Sequence, residues 1–258
     1  VDSLVGSEMC IRDRLYTNGD SWTFGQELKD EEEDHLTYKF YNSWPWHLSQ
    51  HLKIPQLVND ALGGTSNYRI LRRTLEYIQN YKGNYKELLV VVAWTTYERK
   101  EVPVEILRKH NNGHTSWEEN NLEYVSVLMN SVPDVNTGDS VTDRLILDWH
   151  KTSTMLNSQQ HNAKEFYNQQ WTLKHVCKSL GINLLQCYAL DNPEFAGQTA
   201  NKEWLEQIMP LPTSFNRMLM AIEHEQDVRA PLRHPNEEGH KYIANQMQFQ
   251  IPFFKNYT

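Results

Sequence analysis

The run from Leu88 to Trp94, LLVVVAW, constrains the fold more than any other segment of the sequence. All of its residues are apolar without polar alternation, a pattern typical of a strand that is buried on both faces. Shorter apolar segments at 15–17, 54–62 and 182–188 predict further strands. The spacing of apolar residues up to Ile78 predicts a helix that is capped by Ser66 or Asn67. Strands that alternate with helices favour parallel pairing. We therefore expect an α/β fold, a three-layer α/β/α sandwich around a central, mostly parallel sheet.

The length of the chain, 258 residues, suits one large domain. We expect a single domain over 15–258, with a helical insertion at about 97–162 that contains a helix from Trp117 to Met129. The segment 1–14, VDSLVGSEMCIRDR, resembles a translated sequencing-adapter read and has no helical or strand period. We therefore interpret it as a non-native or disordered segment and exclude it from the fold.

Charge and histidine spacing exclude several functions. Asp and Glu outnumber Lys and Arg by 33 to 25, for a formal net charge of −8, which disfavours nucleic acid as a partner. The absence of a long apolar run predicts no membrane span, and the absence of a signal-peptide pattern favours a cytoplasmic location over a secreted one. The spacing of His110, His114, His150 and His161 matches no common metal motif, so we expect no metal and no other cofactor.

Polar residues follow the predicted strands, where the chemistry of parallel sheets is found. Ser21, in Asn-Gly-Asp-Ser, stands at a sharp turn that presents its hydroxyl group outward, although the same pattern also occurs as a simple helix cap. His234 precedes Pro235 and the last predicted helix. An imidazole that binds a serine hydroxyl group makes it nucleophilic, whereas a lone histidine is more often a surface residue.

Four blocks of the sequence, taken in order, resemble the SGNH (GDSL-like) hydrolase superfamily. These blocks are NGDS at 18–21, VNDALGGTSN at 58–67, VVVAWTT at 90–96 and HPNEEGH at 234–240. The resemblance covers the chain from Leu15 to about Met247 and implies the flavodoxin-like fold of that superfamily. It also implies that Ser21 is the nucleophile and His234 its base.

The resemblance further implies that the backbone N–H groups of Ser21 and Gly64 bind the oxyanion. The sequence departs from the family at the third block, where Thr95 replaces the asparagine that donates to the oxyanion; a shift of one residue would place Thr96 there. Trp22 and Trp94 flank the blocks and are candidates to line the substrate pocket, with core packing as the alternative.

A second departure concerns the acid that orients the histidine. The family carries it three positions before the histidine, where this chain has Pro231. Asp227 or Asp191 is the candidate substitute, and a backbone carbonyl group is the alternative.

The resemblance predicts a serine esterase that cleaves a carboxylic ester through an acyl-enzyme. The expected partner is a small acyl ester or an acylated carbohydrate, such as one that carries an O-acetyl group. The alternative is a catalytically impaired member of the same fold that serves as a glycan-binding or structural module. A phosphoester hydrolase is disfavoured because the sequence has no evident ligand cluster for two metals.

Overall fold

In the part of the chain that the structure describes, four parallel strands in the order β2-β1-β3-β7 form the central sheet. The computed structural model describes residues 13–29, 34–105, 116–119, 122–129, 140–156, 159–191 and 214–250. The strands of the central sheet are β1 (Arg14–Gly19), β2 (Gln56–Asn59), β3 (Leu88–Trp94) and β7 (Asn183–Tyr188). Because all four strands run in one direction, their carboxyl ends lie along the same edge of the sheet.

Helices cover both faces of this sheet. They are α1 (Ser21–Phe24), α2 (His35–Asn42), α3 (Trp44–His51), α4 (Asn67–Asn80), α5 (Ser140–Leu156), α6 (Gln159–Leu180), α7 (Phe215–Met220) and α8 (Glu237–Gln250). One apolar cluster joins residues of α1, α3, α7 and α8 to one face, and a second joins residues of α4 and α6 to the other. The prediction of a three-layer α/β/α sandwich is therefore confirmed.

The strand β3 shows why its sequence has no polar alternation. Leu89, Val91 and Ala93 face the cluster with α3 and α8, whereas Val90 and Val92 face the cluster with α4 and α6. Every residue of the strand is buried. A polar side chain on either face would lie in an apolar layer without water, so the sequence remains apolar throughout.

The described part of the insertion begins with a second, antiparallel sheet in the order β4-β6-β5. Its strands are β4 (Arg99–Glu105), β5 (Ser116–Glu119) and β6 (Leu122–Leu128). The predicted helix from Trp117 to Met129 is therefore wrong, and α5 is the first helix among the described residues of the predicted insertion. Tyrosine and valine, which occur in β6, favour strands. All seven residues of β6 also pair with β4, and this pairing outweighs the weak helical spacing of the sequence.

Most of the segment 1–14, which the sequence predicts to lie outside the fold, is outside the described residues, which begin at 13. Arg14, which the sequence analysis assigned to the excluded segment, is the first residue of β1 and pairs with Gln56 and Leu88.

Candidate active site

Ser21 is the first residue of α1, the single helical turn that follows β1. The side chain of Asp20 caps this turn and accepts a hydrogen bond from the backbone N–H of Trp22 at 3.1 Å. A Cβ atom on Gly19 would lie 2.1 Å from the Thr23 hydroxyl oxygen and 3.0 Å from the carbonyl oxygen of Ala93. Glycine is thus required for the turn to pack against β3, and this packing places Ser21 at the carboxyl end of the sheet.

His234 lies in the connection that leads into α8. The backbone N–H of Ala230 donates to the carbonyl group of His234 at 2.8 Å, and Arg229 forms an isolated antiparallel bridge with Pro235. Arg233, the preceding residue, has a left-handed backbone with φ 77°, which tightens the turn. The connection is therefore held by its own backbone hydrogen bonds, which fix the position of the imidazole.

Ser21 and His234 are in direct contact. The Nε2 atom of His234 lies 2.9 Å from the hydroxyl oxygen of Ser21, although the two residues are 213 positions apart in the chain. Ser21 is 7% exposed and the His234 side chain 18% exposed, so the pair is largely shielded from water without being sealed off. This distance allows the hydroxyl group to donate its proton to the imidazole.

Glu27 lies at the other ring nitrogen of His234. Its Oε2 atom is 2.7 Å from Nδ1 and also accepts the backbone N–H of His234 at 3.1 Å, while Oε1 accepts the N–H of Leu232 at 2.7 Å. An ionised carboxylate can only accept hydrogen bonds, so Nδ1 carries the proton and Nε2 presents its lone pair to Ser21. The three side chains form a continuous Ser–His–Glu chain of hydrogen bonds.

The acids considered from the sequence are elsewhere, so Glu27 corrects that prediction. Asp191 binds Ser214 and forms an ion pair with Arg217 at 3.0 Å, at the start of α7. The backbone carbonyl group of Asp227 accepts a hydrogen bond from Asn236, and among the described residues its carboxylate forms no hydrogen bond or ion pair with His234.

Glu27 was not among the acids predicted from the sequence, because both candidates, Asp191 and Asp227, belong to the last third of the chain that also carries His234. Glu27 follows the serine instead, in the loop after α1, with a left-handed backbone at φ 70°. The one signal in the sequence is that Glu27 is the first acidic residue after Ser21.

The connection after β2 lies beside the serine turn. The N–H of Leu62 donates to the carbonyl group of Gly19 at 3.2 Å, and a Cβ atom on Gly63 would lie 2.8 Å from the Gln26 side-chain oxygen. Gly64, the predicted oxyanion donor, follows with φ 72°, a backbone conformation that glycine adopts without strain. The structure thus brings the second block next to the segment that carries Ser21.

Thr95 follows β3 and is fully buried. Its backbone N–H donates to the Asn67 side-chain oxygen at 2.9 Å, and the Asn67 amide group donates to the carbonyl oxygen of Thr95 at 3.1 Å. Its hydroxyl oxygen has no hydrogen-bond partner among the described residues. Asn67 therefore fixes the backbone of Thr95, and only the hydroxyl group remains available for the predicted role.

The two tryptophans differ in their surroundings. Trp22 is 4% exposed, and its ring lies 6.4 Å from the imidazole of His234 and under the guanidinium group of Arg229. Trp94 is fully buried, donates to the Gln186 side chain at 2.9 Å and packs edge-on against Phe166, within the cluster with α4 and α6. The prediction that Trp94 lines a substrate pocket is therefore wrong, since this side chain belongs to the core.

The last block contains a second histidine with a structural contact. This residue is His240. Its imidazole is fully buried, and the Nδ1 atom accepts a hydrogen bond from the backbone N–H of Trp44 at 3.2 Å. Burial, and to a smaller extent the charges of His47 and His234, lowers the pKa of His240 to about 3. His240 is therefore neutral near pH 7 and acts as an acceptor that ties α8 to α3.

The described residues show neither a cluster of metal-ligating side chains nor a helix that could span a membrane. They contain no group of three or more His, Cys, Asp or Glu side chains arranged to hold a metal ion. His110 and His114 lie outside the described residues, and His161 faces Glu165 at 3.5 Å. None of the described helices combines the length and the hydropathy needed to cross a membrane.

The fold and the site together define an α/β protein in which hydrogen bonds link a serine, a histidine and a glutamate at the carboxyl edge of the parallel sheet. The protein belongs to a family described as "Family of unknown function (DUF6071)", whose model matches residues 26–194. The matched range includes Glu27 but neither Ser21 nor His234. Comparison with curated proteins finds no match.

Several solved structures resemble the chain over most of its length. The psychrotrophic esterase EstA from Pseudoalteromonas sp. is 12% identical, with 95% of this chain and 99% of that chain covered and a TM-score of 0.48. LAE5, an alpha/beta hydrolase enzyme from the metagenome of Lake Arreo, is 14% identical, with 94% and 96% covered and a TM-score of 0.49. The acetyl xylan esterase AlAXEase is 13% identical, with 92% and 99% covered and a TM-score of 0.45. At these identities and scores, the function of this chain has to be argued from its own side chains.

Proposed function

We propose that the protein is a serine hydrolase that cleaves a carboxylic ester through an acyl-enzyme intermediate. One observation carries the proposal, namely the hydrogen-bonded chain from the Ser21 hydroxyl group through His234 to the Glu27 carboxylate, at 2.9 and 2.7 Å. A serine hydroxyl group is a weak nucleophile near pH 7, and an imidazole held in the correct tautomer by a carboxylate is what activates it.

In the first half of the reaction, the hydroxyl oxygen of Ser21 attacks the ester carbonyl carbon while His234 Nε2 accepts its proton. Glu27 stabilises the imidazolium that forms, because its carboxylate lies 2.7 Å from Nδ1. The tetrahedral intermediate collapses when the bond to the leaving alcohol breaks. His234 returns its proton to that alcohol, and the acyl group stays on Ser21.

In the second half, a water molecule takes the place of the alcohol. His234 accepts a proton from the water, which attacks the acyl carbon. The bond to Ser21 then breaks, the proton returns to the serine oxygen, and the carboxylic acid leaves. The enzyme is thereby restored with no net change in its protons.

The backbone N–H groups of Ser21 and Gly64 are the proposed donors to the oxyanion. The N–H of Ser21 forms no hydrogen bond with another group in the part of the chain that the structure describes, so it is available to a ligand. Thr95 is the proposed third donor through its hydroxyl group, which is buried and without a partner among those residues. One such preorganised donor contributes roughly 3–4 kcal/mol to lowering the barrier.

The proposed substrate carries a short acyl group, and an O-acetylated carbohydrate is the class to test first. Ser21 is only 7% exposed, and the ring of Trp22 lies beside the imidazole, which leaves little open surface at the nucleophile. We therefore expect p-nitrophenyl acetate to be hydrolysed faster than the corresponding octanoate, and acetylated oligosaccharides to release acetate.

The test is the release of p-nitrophenol from p-nitrophenyl acetate by the wild type and by Ser21→Ala and His234→Ala. Removal of the nucleophile or of its base is expected to lower kcat by at least about 10⁴-fold, as in other enzymes with this constellation. A fluorophosphonate probe should label wild-type Ser21, as located by mass spectrometry of the labelled peptide. Circular dichroism should show that each variant is folded.

Ser49→Ala is the matched control. Ser49 is a buried serine of α3 whose hydroxyl group donates to the carbonyl group of Trp46 at 2.7 Å. Its variant should keep wild-type activity and labelling. If the wild type and Ser21→Ala are equally inactive while both bind an oligosaccharide, the protein is a glycan-binding module and the esterase proposal is wrong.

A further inference from the structure

The carboxylate of Asp20, the residue before the proposed nucleophile, is completely buried. Its Oδ1 atom accepts the N–H of Trp22, and its Oδ2 atom has no hydrogen-bond partner among the described residues. A buried carboxylate without a positive charge nearby is costly, because no water solvates it. Within the described part of the chain, the one cation that reaches it is Arg99, whose Nη1 atom lies 4.0 Å from Oδ2.

Arg99 contacts the second block as well as the first. The same Nη1 atom donates to the carbonyl oxygen of Thr65 at 3.4 Å. Thr65 directly follows Gly64, and Asp20 directly precedes Ser21, so one guanidinium group joins the two segments that carry the proposed oxyanion donors. The side chain of Arg99 is 18% exposed, which keeps its charge only weakly screened.

The insertion supplies this arginine. Arg99 is the first residue of β4, where it pairs with Leu128 of β6. The backbone N–H of Arg99 donates to the carbonyl group of Thr96 at 3.2 Å. The backbone N–H of Met129 donates to the carbonyl group of Glu98 at 3.1 Å. Strand pairing and these two hydrogen bonds therefore hold the backbone of Arg99 beside the carboxyl edge of the central sheet.

We propose that Arg99 is a positioning residue of the hydrolase: it balances the buried charge of Asp20 and holds the Ser21 and Gly64 segments together. The inference rests on the proposed function. Negative charge develops on the substrate oxygen beside the N–H of Ser21, and an unbalanced carboxylate one residue away opposes that charge. Arg99 removes this opposition without touching the substrate, so its effect falls on kcat rather than on KM.

The test compares Arg99→Met and the double variant Asp20→Asn/Arg99→Met with the wild type, using p-nitrophenyl acetate, which is uncharged. Arg99→Met is expected to lower kcat about 10- to 100-fold with KM within about threefold, which is less than the loss of a whole oxyanion donor. The double variant should recover about tenfold of that loss, since asparagine caps the turn of α1 without the charge.

Two conservative variants keep the test valid if Arg99→Met does not fold. Arg99→Lys retains the charge, whereas Arg99→Gln retains a donor to Thr65 but not the charge, so the lysine variant should be about tenfold more active. If Arg99→Lys and Arg99→Gln are equally active, the charge of Arg99 has no role and the inference is overturned. The same conclusion follows if Asp20→Asn/Arg99→Met is as impaired as Arg99→Met.

Other outcomes distinguish this inference from the function on which it rests. Wild-type kcat in Arg99→Met, together with loss of activity in Ser21→Ala, would overturn the inference alone. A rise in KM that is confined to an anionic ester would show that Arg99 binds substrate, which also overturns it. If the wild type shows no turnover that depends on Ser21, the proposed function falls and this inference falls with it.

Discussion

Glu27→Gln tests the Ser–His–Glu chain most directly, because it changes one atom of the side chain and keeps its size. The carboxylate accepts hydrogen bonds on both oxygens: Oε1 from the N–H of Leu232, and Oε2 from the N–H and the Nδ1–H of His234. Glutamine replaces one acceptor with an NH₂ group. In either orientation of the amide, this group faces a donor, so no arrangement preserves all three hydrogen bonds.

The expected loss of activity follows from the two orientations. If the NH₂ group faces Leu232, His234 keeps its hydrogen bond but loses the negative charge, and a charge-assisted bond contributes about 1.5–3 kcal/mol, or roughly 10- to 100-fold in rate. If the NH₂ group faces Nδ1, the imidazole has to move its proton to Nε2. It then no longer accepts the proton of Ser21, and the wrong tautomer lowers kcat about 10⁴-fold in serine proteases. We therefore expect a fall in kcat between about 10- and 10⁴-fold, depending on the orientation of the amide, with KM within about threefold.

The assay is the initial rate of p-nitrophenyl acetate hydrolysis at several substrate concentrations, with urea unfolding as a separate measurement of stability. Glu225→Gln is the matched control, because Glu225 is an exposed glutamate whose side chain forms no hydrogen bond or ion pair with the described residues. Its variant should match the wild type. If Glu27→Gln is folded and keeps kcat within threefold, Glu27 does not orient the base, and the argument from its position at Nδ1 is refuted.

Three further predictions address the surroundings of the site. Gly19→Ala should lower the free energy of unfolding by about 1–3 kcal/mol in urea and also reduce kcat, because its Cβ atom would lie 2.8 Å from that of Thr23; an unchanged urea midpoint would contradict this packing. Since the pKa of His240 is lowered from 6.5 to about 3, the unfolded chain binds one more proton below pH 6.5. Stability should then fall by about 2 kcal/mol from pH 6.5 to 5, and His240→Asn, which retains an acceptor for Trp44, should remove that part of the slope; equal slopes would show that His240 is not the group responsible. Asp191→Asn should keep kcat within about threefold, because Asp191 binds the start of α7 rather than the imidazole; a loss as large as that of Glu27→Gln would reinstate it as the orienting acid.

Local patterns were sufficient to predict the main layers. Leu88 to Trp94 is buried on both faces of the sheet, as its continuous apolar run indicates. Ser66 caps α4 by accepting the N–H of Arg69 at 3.3 Å, which is one of the two caps that the sequence allowed. Each of these features depends on neighbouring residues and on the periods of strands and helices, so a single sequence is enough to predict it.

The insertion and Trp94 show where local patterns were insufficient. Leu122–Leu128 is a strand because it has partners on both sides, β4 and β5, which are separated from it in the sequence. Trp94 adjoins the candidate site in the sequence, but it points to the opposite layer, against Phe166 of α6. Strand pairing and the direction of a side chain at the end of a strand are decided by the elements that pack there.

The sequence by itself determined the layer architecture and, through its resemblance to a known superfamily, the two residues whose contact the proposed function requires. Only the tertiary structure decided which acid faces His234. Glu27 reaches that imidazole because its backbone takes a left-handed conformation and because the turn at Leu232 to His234 directs two N–H groups at its carboxylate. Neither condition leaves a period or a motif in the sequence, since both arise when segments more than 200 positions apart come together.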